Sequence, residues 1–200
     1  MLDLYSGRDI QAIETLVLLL KERIGSTVSY ANLARDLERD SNTIKRWLLL
    51  LENLYIIFRV TPYYKKITRS LLKEPKFYFY DHTYAENDGV RLENLVACAL
   101  LKELQFIEDV EGLNTSLHYL RTKDGKEIDF LICIEGKPTL MLEVKASDCQ
   151  PAKGFQYFER QLPGVKMIQL VKDLSRESTY PNGLEIRSLV NWLAKVLLRY

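Results

Sequence analysis

The stretch Gly125-Lys126-Glu127-Ile128-Asp129-Phe130-Leu131-Ile132-Cys133-Ile134, followed by Leu140-Met141-Leu142-Glu143-Val144-Lys145, decides how the chain is read. Both segments are rich in the β-branched and aromatic residues that favour strands. Successive side chains of a strand point to opposite faces. Ile128, Phe130, Ile132 and Ile134 therefore share one face, and Leu140, Leu142 and Val144 share one face of the second strand. Both apolar faces want the same core, which demands an even pairing register. A connection of three residues, Glu135-Gly136-Lys137, supplies it and sets Asp129 directly opposite Glu143, with Lys145 further along the same face. A slip of one residue would put the two carboxylates on opposite sides of the sheet and dismantle the arrangement.

Two carboxylates that close together repel one another unless a cation neutralises them. Few hard oxygen ligands suit Mg2+, which keeps several of its waters. Such an ion lowers the pKa of a bound water and polarises a phosphoryl oxygen, and an ammonium group beside it orients the water or stabilises developing charge. The pattern therefore predicts phosphodiester hydrolysis, with Asp129 and Glu143 as metal ligands and Lys145 as their catalytic partner. Glu93, on the inward side of a predicted helix with Val90, Val96, Ala97 and Leu100, adds a further carboxylate.

Around this pair the chain alternates helix and strand. The turn-rich stretch 84–89 opens the unit, and a helix is predicted over 90–104, strands over 117–121, 128–134 and 139–145, a helix over 152–162, a strand over 165–171 and a final helix over 188–198. Upstream, apolar residues recur at helical spacing in three groups: Ile10, Ile13, Leu16, Val17 and Leu20; Leu33, Ala34 and Leu37; Ile44, Trp47, Leu48 and Leu51. Ser29 stands where an N-cap would open the second helix, and Ser41 or Asn42 where one would open the third. Strand-type segments over 55–60 and 76–80 then form a hairpin.

Three helices followed by a hairpin is the layout of a winged helix-turn-helix, here over residues 1–82, leaving 83–200 as the α/β unit. The third helix would meet DNA through Asn42, Thr43, Lys45 and Arg46, near the end that reaches base edges in such motifs. The wing carries six basic residues, Arg59, Lys65, Lys66, Arg69, Lys73 and Lys76, against one acidic residue, Glu74, with Tyr63 and Tyr64 between them. Such a strip neutralises phosphates.

Composition narrows the field without choosing within it. With 200 residues, 47% hydrophobic and 28% charged, the chain is of ordinary globular make-up, and a net charge of +1 gives no overall pull toward polyanions, so any DNA surface is local. The apolar runs are too short to span a bilayer, and the three cysteines, Cys98, Cys133 and Cys149, are widely spaced without a CxxC pair. A cytoplasmic chain with reduced thiols and no membrane partner is expected. Asp81 is read as capping a turn, and His82 and His118 as isolated histidines without ligand spacing.

Glu93, then Asp129, then Glu143-Val144-Lys145 resembles the PD-(D/E)XK nuclease-like superfamily, whose αβββαβ core has the same order of elements. The whole chain resembles the C-terminal half of a family of prokaryotic AAA-type ATPases, through Gly25 to Tyr30, Asn42 to Leu48, Pro75 to Asp81 and Glu127 to Phe130. Those proteins carry a P-loop domain, then a winged helix, then a nuclease-like domain of undetermined function. The resemblance implies an α/β fold in which a winged helix-turn-helix is followed by a restriction-endonuclease-like α/β domain with a mixed sheet. It implies DNA as a partner, Mg2+ as the cofactor and a P-loop ATPase domain in a longer relative. This sequence has no P-loop, since Gly125-Lys126 is followed by Glu127 and Gly136-Lys137 by Pro138, so no ATPase activity is expected of it. The oligomeric state stays open, as do three functions: a metal-dependent DNA phosphodiesterase, a non-catalytic DNA- or protein-binding module, and a winged-helix transcriptional regulator.

Overall fold

The computed structural model describes residues 7–64, 74–147 and 149–197. Helices α1 (Gly7–Lys21), α2 (Tyr30–Asp36) and α3 (Ser41–Asn53) turn their apolar stripes toward one another. Leu16, Leu20, Leu33, Ile44, Trp47, Leu48 and Leu51 are buried in their common core. The cap of α3 differs from the expected Ser41 or Asn42. Asp40 takes that role, its carboxylate accepting from the N–H groups of Asn42 at 2.9 Å and Thr43 at 3.0 Å. A charged acceptor there satisfies two orphan donors and complements the positive end of the helix. Ser29 has the extended N-cap conformation before α2 but makes no side-chain capping bond.

Strands β1 (Ile57–Pro62) and β2 (Lys76–Phe79) pair antiparallel, and Asp81 caps the short turn that follows by accepting from the Thr83 N–H at 2.9 Å. The hairpin does not stand apart. β1 runs parallel to β3 (Thr115–Arg121), with Thr61 beside His118 and Pro62 beside Tyr119. Beyond β3 come β4 (Glu127–Ile134), β5 (Lys137–Lys145), β6 (Lys166–Val171), a two-residue β7 (Ser178–Thr179) and β8 (Leu184–Ser188). The mixed sheet of eight strands has the order β2-β1-β3-β4-β5-β6-β8-β7. Three further α-helices, α4 (Asp88–Phe106), α5 (Lys153–Gln161) and α6 (Leu189–Leu197), bring the α-helices among the described residues to six in an α/β architecture. The order α4-β3-β4-β5-α5-β6 is the anticipated one; β7 and β8 were not anticipated, and Ser188 ends β8 rather than opening the last helix.

Two bulges position the site. The β4–β5 connection is a tight turn at Glu135-Gly136, with φ of 51° and 69°, rather than the three-residue loop expected. That turn alone would give an odd register, pairing Ile134 with Lys137 and Cys133 with Pro138. Thr139 is then bulged out, its hydroxyl donating to the Ile132 carbonyl at 3.0 Å, and the strands continue with Ile132 beside Leu140 and Phe130 beside Leu142. The even register is reached after all. The second bulge lies between β3 and β4, where His118 pairs with Leu131 but Leu120 with Ile128, leaving Tyr119 opposite both Asp129 and Phe130.

This second bulge reverses the alternation at its start. Phe130, Ile132, Leu142 and Val144 join the large core with α1–α4 and the hairpin. Ile128 does not share their face as expected; it packs with Leu131, Cys133 and Met141 beneath Phe155 and Phe158 of α5. Residues on both sides of Asp81 contribute to the large core. Among the described residues no helix is long and apolar enough to cross a membrane.

Candidate functional site

Beyond Phe130 and Leu142 the regular β4–β5 ladder ends, and two carboxylates take over its hydrogen bonds. The Asp129 N–H donates to Glu143 Oε2 at 3.2 Å, and the Val144 N–H donates to Asp129 Oδ2 at 2.9 Å. Each acidic side chain thus satisfies a backbone amide of the opposite strand, which holds the pair together where the strands part. Glu143 is buried, Asp129 is half-buried, and Lys145 Nζ lies 2.6 Å from Glu143 Oε1.

Glu93 approaches from α4. Its Oε1 accepts from Tyr78 Oη at 2.6 Å and from Lys76 Nζ at 3.5 Å. Lys76 Nζ also lies 2.5 Å from Glu127 Oε1, and Arg121 meets the other Glu127 oxygen at 3.3 Å. Gly25 lets the α1–α2 connection come this close. With φ +70° it occupies the left-handed region, and an added Cβ would lie 2.8 Å from Glu93 Oε1. The four residues that sequence pattern and resemblance put in the site, Glu93, Asp129, Glu143 and Lys145, therefore belong to one electrostatic cluster.

The energetics of that cluster follow from its enclosure. Burial, then the charges of Glu93 and Glu143, push the Asp129 carboxyl well above its ordinary range, with Lys76 opposing. Burial likewise raises Glu143, against the pull of Lys145. Burial alone would lower Lys76, but Glu93, Asp129 and Glu127 outweigh it and hold the ammonium ion above its usual value. Burial and the bond to Glu93 keep the Tyr78 phenol protonated as a donor. Four carboxylates, Glu93, Glu127, Asp129 and Glu143, thus share two ammonium groups and the Arg121 guanidinium, and a further cation would relieve the repulsion left between Asp129 and Glu143.

The donor set suits Mg2+. Among the described residues no three His, Cys, Asp or Glu side chains form a ready cage for a metal. Asp129 and Glu143 would supply two oxygen ligands and water the rest, which Mg2+ accepts and a closed tetrahedral zinc site does not.

The residues expected to meet DNA divide into three groups. Asn42, Lys45 and Arg46 are exposed on α3, whereas Thr43 is half-buried and spends its hydroxyl on Asp40, at 2.5 Å. Lys65, Lys66 and Arg69, with Lys73, lie outside the described residues. Of two other members of the basic strip, Arg59 stays exposed and pairs with Glu52 at 3.3 Å, whereas Lys76 turns inward and is only 2% exposed. A cavity of about 490 Å³ lies beside this corner, lined by Thr27, Pro62, Tyr64, Glu74, Tyr119, Arg121, Thr122 and Lys123.

Sequence reasoning missed Lys76, Tyr78 and Glu127 as members of the cluster. The signal was the run Lys76-Phe77-Tyr78-Phe79, which lacks alternation because all four residues are buried. A strand enclosed on both faces must take its lysine inside with it. His118 is no ligand candidate; its ring nitrogens lie 3.2 Å from Thr61 Oγ1 and 3.0 Å from Ser116 Oγ.

Comparison with known proteins gives two family matches. Residues 1–86 match a family described as a domain of unknown function (DUF8612), and residues 88–178 match another domain of unknown function (DUF4143), one often C-terminal to AAA ATPase domains. An uncharacterized protein of Mycobacterium bovis and an uncharacterized protein of Mycobacterium tuberculosis are each 26% identical over 121 residues, covering 57% of this chain and 27% of the relative. The alignment thus spans about a quarter of the length of these curated relatives. No solved structure matches.

Proposed function

We propose that the chain is a Mg2+-dependent phosphodiesterase of the PD-(D/E)XK type acting on DNA, with its first 82 residues serving as a winged helix-turn-helix. The observation that carries this reading is the reciprocal Asp129–Glu143 pair, enclosed by protein and flanked by Lys145. Mg2+ bound there would lower the pKa of a water and polarise a phosphoryl oxygen. Asp129 and Glu143 hold the ion's place through carboxylates fixed by the amides of Val144 and Asp129. Lys145, anchored on Glu143, keeps its ammonium group at the site's edge, where it orients the attacking water and stabilises charge developing on the phosphate. Glu93, fixed by Tyr78 and Lys76, assists from the helix side. Asn42, Lys45 and Arg46 present a polar and basic helix face to the duplex.

Lys145→Ala should abolish Mg2+-dependent nicking of plasmid DNA while DNA binding persists. Undiminished nicking would overturn the assignment. A second reading, a non-catalytic module of an AAA-type ATPase, is favoured by one feature: Lys76 already supplies a permanent cation within the acidic cluster. Equal inertness of wild type and variant with both Mg2+ and Mn2+ would select it.

A further inference from the structure

Phosphodiester-cleaving sites commonly hold two divalent ions about 4 Å apart, bridged by carboxylate. Asp129 stands between two environments here. On one side are Glu143 and Lys145; on the other are Glu93 and Glu127, with Lys76 among them. Lys76 comes from β2, a strand outside the Asp then Glu-x-Lys pattern, and its side chain is 2% exposed. Its ammonium group is tied to Glu127 at 2.5 Å and to Glu93 at 3.5 Å, and lies 5.4 Å from the centre of the Tyr119 ring. An ammonium ion this enclosed cannot swing into solvent to make room for a metal ion without breaking both pairs.

We propose that Lys76 is the site's built-in second cation. It fills the position between Glu93 and Glu127 that a second divalent ion would take, so the site accepts one such ion, held by Asp129 and Glu143. The inference rests on the reading of Asp129 and Glu143 as metal-holding residues. Lys76 is a positioning residue within it: it fixes Glu93 and sets the number of ions without touching substrate.

The test is the count and the spin coupling of bound Mn2+ on the full chain, by equilibrium dialysis and electron paramagnetic resonance. Wild type should bind one Mn2+ with the spectrum of an isolated ion. Lys76→Met should bind a second Mn2+, with spin coupling between the two, or bind the first at least tenfold more tightly. Lys76→Arg, which keeps the charge, should behave as wild type. Two coupled ions in wild type would overturn the inference while leaving the metal reading intact. A Lys76→Met protein with one ion at unchanged affinity would also overturn it. Absence of any Mn2+ from wild type would remove the metal reading and this inference together. If Lys76→Met does not fold, the wild-type count and spectrum still decide.

Discussion

Replacing Gly154 by alanine tests the packing that places β4 under α5. Gly154 is the second residue of α5, and a Cβ built there would lie 2.2 Å from the Glu127 carbonyl oxygen and 2.9 Å from Ile128 Cδ1. C–H···O contacts in proteins fall at about 3.3–3.6 Å, so the helix must retreat by roughly 1 Å. Phe155 and Phe158 ride on that helix, and their retreat loosens the packing against Leu131, Cys133 and Met141. Overpacking of this kind costs about 1–3 kcal/mol, offset by at most about 1 kcal/mol from alanine's better helix propensity. The clash, at 2.2 Å, is with backbone, so the cost lies toward the upper end of that range. A net loss of about 1–2 kcal/mol lowers the melting temperature by roughly 2–8 °C in a chain of this size. Thermal and urea unfolding should show it, with Lys153→Ala, at an exposed neighbour, as a control that moves little. A Gly154→Ala protein as stable as wild type would refute the close approach of α5 to β4.

Two carboxylates should show opposite pH signatures. Burial holds the folded Asp129 carboxyl above its unfolded value, so its contribution to stability is full below the unfolded pKa and is lost as pH rises through the folded one. Metal-free Asp129→Asn, still able to accept from Val144, should therefore melt higher than wild type at neutral pH, with the gap closing near pH ~4; a lower melting temperature at neutral pH would contradict this. The hydrogen bonds from Thr43 hold Asp40 below its ordinary value, so its contribution is present above the unfolded pKa and is lost as pH falls through the folded one. Asp40→Ala should accordingly be destabilised at neutral pH, and the deficit should shrink in strong acid. For DNA, Lys45→Ala and Arg46→Ala should each weaken duplex binding and flatten the logarithmic salt dependence by about 1 for each phosphate that is no longer neutralised; unchanged slopes would take α3 out of the interface.

Much of this architecture is legible as periodicity. The stripes of α1, α2 and α3 and the strand character of β4 and β5 follow from residues such as Leu16, Trp47, Phe130 and Leu142, whose burial each helix or strand spacing requires. Alternation also demanded an even β4–β5 register, but parity does not say how a chain achieves it: a tight turn at Glu135-Gly136 plus a bulge at Thr139 does what a longer loop was expected to do. The bulge opposite Tyr119, which sends Ile128 to the α5 side, comes from pairing with β3 and leaves no mark in the β4 sequence itself. β8 escaped notice because only Leu184 and Ile186 of its five residues are buried. Lys76 was misread for a related reason. Its neighbours in sequence make it look like one more wing cation, and only the tertiary arrival of Glu127 and Glu93 turns it inward.

The central claim, that Asp129 and Glu143 form a divalent-metal site for phosphodiester hydrolysis, is tested most directly by calorimetric titration of Mg2+ or Mn2+ into wild type and Asp129→Asn, with plasmid nicking assayed on the same samples. The account predicts saturable binding and nicking in wild type, both lost in the variant. Wild type that binds no divalent ion, or a variant that binds and nicks as wild type does, would contradict it.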